Sequence, residues 1–115
     1  MKKDTLFTLA PGFEDNGRRE FCPECAEVAG LLAYFPSIKD ALNIVHVSIS
    51  HPREDITAIL GAGNYNAPTL LLAEGTTPPD GIDAKQSNGR YYLDSISGIS
   101  ALWRARYGTP HRRGD

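Results

Sequence analysis

Cys22 and Cys25 are the two cysteines of the chain, and Pro23 and Glu24 stand between them. Attack on a disulfide needs a thiolate, and an ordinary thiol has a pKa of about 8.5, so a working nucleophile needs its negative charge stabilised. A helix start does this with unpaired backbone N–H groups and the positive end of the dipole. Pro23 suits the first helical turn, where its missing N–H has no helical partner to lose. Cys25, Val28, Leu32 and Phe35 then recur at helical spacing, which puts Cys25 on the sheltered face and leaves Cys22 at the exposed start. Glu24 brings a negative charge close to Cys22 and acts to raise its pKa, so a modest acidity is expected.

The same pair also suits half of a zinc site, completed by His46 and His51, whose four intervening residues are an allowed ligand spacing. An iron–sulfur carrier is a related alternative. A scaffold whose cysteines turn nothing over, used for binding or regulation, is the other alternative. His46, His51 and His111 assemble no Cys–His dyad and are read as strand, loop and tail residues.

Around these residues the chain reads as alternating strands and helices. Asp4 to Leu9 is a first strand, closed by Pro11-Gly12, and a polar loop runs through Arg19 and Glu20. The CxxC opens the first helix and Pro36 stops it. Asn43 to Ile49 is a β-branched second strand; Ser50 or His51 caps a short helix that Pro52 opens and Ile56, Ile59 and Leu60 bury. Thr69 to Ala73 is a continuous apolar run, expected to be a central strand covered on both faces. Glu74 to Gly89 is a long connection, and Arg90 to Leu93 a fourth strand. Asp94 or Ser95 caps a last helix carrying Ile96, Ile99, Trp103 and Tyr107, with Gly108 as its stop. The order is β-α-β-α-β-β-α, an α/β domain whose first half is a parallel βαβ unit.

At 115 residues, 41% apolar and 23% charged, the chain is expected to form one domain over residues 1–108, with 109–115 as a flexible tail. Twelve basic and fourteen acidic residues give a net charge of −2 with no long basic run, so nucleic acid is not expected as a partner. Asp4 interrupts the Met1-Lys2-Lys3 start, and no segment approaches the roughly 18 apolar residues that span a bilayer, so a cytoplasmic protein is expected. Two cysteines are too few for a disulfide scaffold, which leaves a reactive or metal-binding pair.

Three separated motifs, Cys22-Pro23-Glu24-Cys25, Ala67-Pro68-Thr69 and Leu93-Asp94-Ser95, resemble those of a thioredoxin-fold protein of the glutaredoxin kind, from Asp4 to about Gly108. The segments Ala10-Pro11-Gly12-Phe13 and Gly30-Leu31-Leu32-Ala33-Tyr34-Phe35-Pro36, with the line between them, are similar to a bacterial thioredoxin-like family catalogued as a domain of unknown function, DUF3088. The resemblance implies a four-stranded mixed sheet flanked by three helices. It also implies that Cys22 attacks a disulfide, Cys25 resolves the product, and Pro68 takes a cis bond facing the cysteines. Ala67 would then pair through its backbone with an extended peptide or with glutathione. Asp94 and Ser95, first of all a helix cap, stand where glutaredoxins recognise the γ-glutamyl end of glutathione. A protein or small-molecule disulfide is the implied substrate, with glutathione as candidate co-substrate and no cofactor required. The chain departs from glutaredoxins in its longer Ala10 to Phe21 loop, which would cover or reshape the site. It also has Tyr91-Tyr92-Leu93 where a glycine pair often precedes the last helix.

Overall fold

A computed structural model describes residues 2–115; Met1, which begins the basic N-terminal run, lies outside the described residues. The chain runs β1 (Asp4–Thr8), β2 (Phe13–Asp15), β3 (Arg18–Glu20), α1 (Pro23–Tyr34), α2 (Pro36–Asp40) and β4 (Leu42–His46). It continues through α3 (Glu54–Leu60), β5 (Thr69–Leu71), β6 (Lys85–Ser87), β7 (Arg90–Leu93) and α4 (Ile96–Tyr107). The architecture is mixed α/β. One sheet has the order β4-β1-β5-β7-β6; β1 and β4 are parallel, and the other pairs are antiparallel. The parallel pair needs a crossover, which α1 and α2 supply.

Side chains alternate across a strand, so neighbours in β1 and β5 serve opposite faces. Leu6, Leu70 and Leu72 join Val28, Leu32, Ile38, Ile99 and Trp103 in the larger core, under α1, α2 and α4. Phe7 and Leu71 join Ile56 and Leu60 in a smaller core under α3. Deleting a buried leucine side chain from either layer costs about 2–5 kcal/mol. β5 is buried throughout, as the central apolar run predicts.

The described sheet has five strands and the described chain four helices, where the sequence predicts four and three. The polar loop before the CxxC holds the β2-β3 hairpin, and the long connection after β5 holds the edge strand β6. Each hairpin turns on an Asn-Gly pair with positive φ, Asn16-Gly17 and Asn88-Gly89, the backbone that a two-residue turn requires. Pro36 ends α1 and also opens α2, because a proline that cannot continue one helix fits the first turn of the next. The predicted second strand ends at His46, although the Val47 N–H still donates to the Thr8 carbonyl at 2.9 Å. α3 begins two residues after Pro52, with Arg53 and not Ser50 or His51 at its N-cap. The last helix keeps Ile96, Ile99 and Trp103 buried, while Tyr107 is exposed.

Four contacts fasten the two ends of the chain. Asp4 is buried; its Oδ1 accepts the Ala73 N–H at 2.7 Å, and its other oxygen pairs with Arg106 on α4. In the segment after Gly108, Arg112 pairs with Glu27 on α1, and Asp115 accepts from Ser97 on α4 at 3.0 Å. No described helix is long and apolar enough to cross a membrane.

Candidate functional site

Cys22 is the N-cap of α1, with extended φ and ψ, and Pro23 follows at the first helical position. Its Sγ accepts the Cys25 N–H at 3.1 Å, and its carbonyl accepts the Ala26 N–H at 3.0 Å. The thiol also donates to the Ala67 carbonyl at 3.8 Å, across from the loop that enters β5. Cys25 is buried one turn further in, beside Val28 and Leu32 on the same face, and Cys22 is half-buried. Both cysteines are free thiols. The arrangement places an accessible sulfur at a helix start with a second, sheltered sulfur behind it.

A helix start alone predicts a lowered Cys22 pKa, yet the direction is upward from the ordinary thiol value. Partial burial is the largest cause, and the Cys25 side chain adds to it; the Cys25 and Glu24 N–H groups pull the other way. Glu24 therefore acts on Cys22 by favouring the anion through its backbone, where the sequence suggests a carboxylate opposing it.

Ala67 and Pro68 stand opposite Cys22, joined by a cis peptide bond. Asn66, one residue earlier, donates from its side chain to the Asp94 carbonyl at 2.9 Å, tying this loop to the start of α4. Asp94 and Ser95 are thus adjoined to the loop that faces Cys22, but both side chains are engaged. Asp94 pairs with Lys85 at 3.0 Å, and Ser95 Oγ accepts the Gly98 N–H at 3.0 Å. His46 and His51 do not complete a metal site with the cysteines: among the described residues no group of three or more His, Cys, Asp or Glu is gathered to hold an ion.

Arg53 is the site residue that sequence reasoning misses. It is only 8% exposed, donating from Nε to the Ser48 carbonyl at 2.8 Å and from Nη1 to the Tyr65 carbonyl at 2.7 Å. The guanidinium thereby ties the loop after β4 to the loop that carries Ala67. Burial lowers its pKa from the ordinary arginine value, and the charges of Cys25 and Cys22 act to raise it. It is a buried cation on which the charges of both cysteines act. No local pattern marks it, since arginine between a proline and an acidic helix turn is ordinarily a solvated residue.

Beside the cysteines an open groove of about 820 Å³ runs between α1 and the β1-β4 side of the sheet. Pro11 and Phe21 from the loop region preceding α1 stand at it, Cys22 and Cys25 meet it from one side, and Lys39 and His46 line it from α2 and β4. The ends of the 10–21 loop line the groove, and its middle forms the separate hairpin.

Fold and site define a mixed α/β domain that presents a dithiol at a helix start beside an apolar groove. The chain belongs to the family described as a protein of unknown function (DUF3088), whose model matches residues 3–111. Neither a curated protein nor a solved structure matches it.

Proposed function

We propose that this chain is a glutaredoxin-like thiol–disulfide oxidoreductase with a thioredoxin-like fold, acting in the cytoplasm. The fold reading is supported by the run β4-β1-β5-β7, one parallel pair followed by antiparallel ones, with β6 an added edge strand. The observation that carries the activity is Cys22 Sγ at the start of α1, held by the Cys25 N–H and facing the Ala67 carbonyl.

In this reading the Cys22 thiolate attacks one sulfur of a substrate disulfide. The substrate S–S bond breaks, a Cys22 mixed disulfide forms, and the departing thiolate takes up a proton. Cys25 then loses its proton and attacks the Cys22 sulfur, releasing the second substrate thiol and leaving a Cys22–Cys25 disulfide. Two electrons pass to the substrate, and an external dithiol or two molecules of glutathione return them. The N–H groups of Cys25 and Glu24 favour the Cys22 anion at the moment it forms. Glutathione contact at Asp94 and Ser95 requires those side chains to exchange their present partners, so the Ala67 backbone is the stronger candidate contact.

The test is reduction of hydroxyethyl disulfide with dithiothreitol as the electron source, followed by mass spectrometry of trapped species. Wild type is expected to turn over, Cys22→Ser to fall to background, and Cys25→Ser to accumulate a mixed disulfide on Cys22. Equal rates for wild type and Cys22→Ser overturn the reading. A second reading, a non-catalytic binding scaffold, is favoured by the upward direction of the Cys22 pKa together with the groove. It is the reading that remains if the dithiol reduces nothing.

A further inference from the structure

The groove beside the dithiol is open, apolar and unusually one-sided in charge. Its volume of about 820 Å³ falls within the range of roughly 300–1,000 Å³ typical of small-molecule sites. Ala26, Ala29 and Ala33 share the α1 face that lines it, so the helix backbone approaches without filling the space. Leu9 and Ile44 supply apolar wall from the sheet side. The chain carries a net negative charge, yet no Asp or Glu lines the groove. Its ionisable lining groups, other than the two thiols, are Lys39 and His46. Neither forms an ion pair or a side-chain hydrogen bond among the described residues, whereas Lys2, Arg18, Lys85, Arg106 and Arg112 all have acidic partners. A ligand that suits this lining has an apolar body and one negative charge, and a ligand that suits the thiols carries sulfur at the end nearer Cys22.

We propose that the groove binds an aliphatic carboxylate and that the disulfide reduced here is one carried on such a chain, its carboxylate toward Lys39 and His46 and its sulfurs toward Cys22. The disulfide half of this proposal rests on the oxidoreductase reading above; the anion-binding half does not. The reaction is balanced as before: the substrate S–S bond opens to two thiols while Cys22 and Cys25 become a disulfide, and an external dithiol restores them. The charge on the ligand takes no part in the electron transfer and acts only through binding.

The experiment has a binding arm and a redox arm. In the first, octanoate and 1-octanol are titrated into full-length reduced protein by isothermal calorimetry. Octanoate is expected to bind more tightly. Lys39→Glu should weaken octanoate about fivefold, the scale of one partly exposed charge contact, and leave 1-octanol unchanged. Ala29→Phe, at an exposed position on α1, should remove binding of both by filling the groove. Equal affinity for the two ligands, no octanoate binding, or binding that survives Ala29→Phe overturns the proposal. In the redox arm, lipoate should be reduced faster than lipoamide, and Lys39→Glu should erase that preference. Reduction of hydroxyethyl disulfide with no octanoate binding overturns the groove proposal and leaves the oxidoreductase reading standing. Octanoate binding with no disulfide reduced overturns the oxidoreductase reading and upholds the groove as an anion site.

Discussion

The first turns of α1 and α4 are built alike and behave differently. In each, an N-cap side chain accepts the N–H three residues on: Cys22 Sγ from Cys25 at 3.1 Å, Ser95 Oγ from Gly98 at 3.0 Å. A hydroxyl is a good acceptor at any ordinary pH, so the cap of α4 is permanent. A thiol is a poor acceptor and a thiolate a strong one, so the cap of α1 strengthens when Cys22 loses its proton. Their surroundings diverge as well. Ser95 lies next to Asp94, which Lys85 neutralises, while Cys22 opens on an apolar groove within the influence of the buried Arg53. The same hydrogen bond is a fixed cap at one end and one that strengthens on deprotonation at the other.

The largest expected effect comes from removing the buried cation near the α1 end. Arg53→Met leaves the Ser48 and Tyr65 carbonyls without their charged donor and should cost about 3 kcal/mol in urea unfolding. It should also move the pH midpoint of Cys22 alkylation upward, which loss of stability alone does not do.

Titration sharpens the contrast further. Because the Cys22 pKa is raised, iodoacetamide should label it more slowly at neutral pH than it labels an unstructured cysteine, gaining about tenfold per pH unit until the raised midpoint. The linkage has a definite sign. The unfolded chain releases the Cys22 proton at the ordinary thiol value, and the folded chain holds it to higher pH. Stability is therefore full below that ordinary value and declines as pH climbs from it toward the folded value. Cys22→Ser should abolish this contribution, as read from unfolding curves across that range.

Smaller effects compare the caps directly. Ser95→Ala should cost about 1 kcal/mol by thermal or urea unfolding. Cys22→Ser should instead raise stability by roughly 0.5 kcal/mol at neutral pH, since a hydroxyl replaces a weak acceptor in the same cap position. A Cys22→Ser variant less stable than wild type would break the comparison, by showing that the thiol contributes through packing.

Much of this site was legible in the residues. The helix-periodic run after Pro23 places the sheltered sulfur, and the continuous apolar run Thr69 to Ala73 reads as a central strand covered on both faces. Both Asn-Gly turns were also there to be read. Their flanking strands were missed because Phe13–Asp15, Arg18–Glu20 and Lys85–Ser87 are mostly polar and exposed, so no hydrophobic alternation announces them. Arg53 was invisible for a different reason: its burial depends on two loops, 5 and 12 residues away, closing around it. The groove likewise exists only because α2 and β4 face the alanines of α1, a tertiary fact with no local trace. The upward shift of Cys22 comes from its partial burial and from the Cys25 side chain, which a helix-dipole argument does not contain.

Asp4 and Arg106 stand 102 positions apart and are paired. The beginning and end of the folded unit are therefore neighbours, and the polypeptide is close to a ring. A version with the two ends of this folded unit bridged by a short flexible linker, and opened instead at the exposed Asn88-Gly89 turn, should retain the core and the dithiol. In that rearranged chain α4 is synthesised before β1, so the helix waits for the strand that now waits for it.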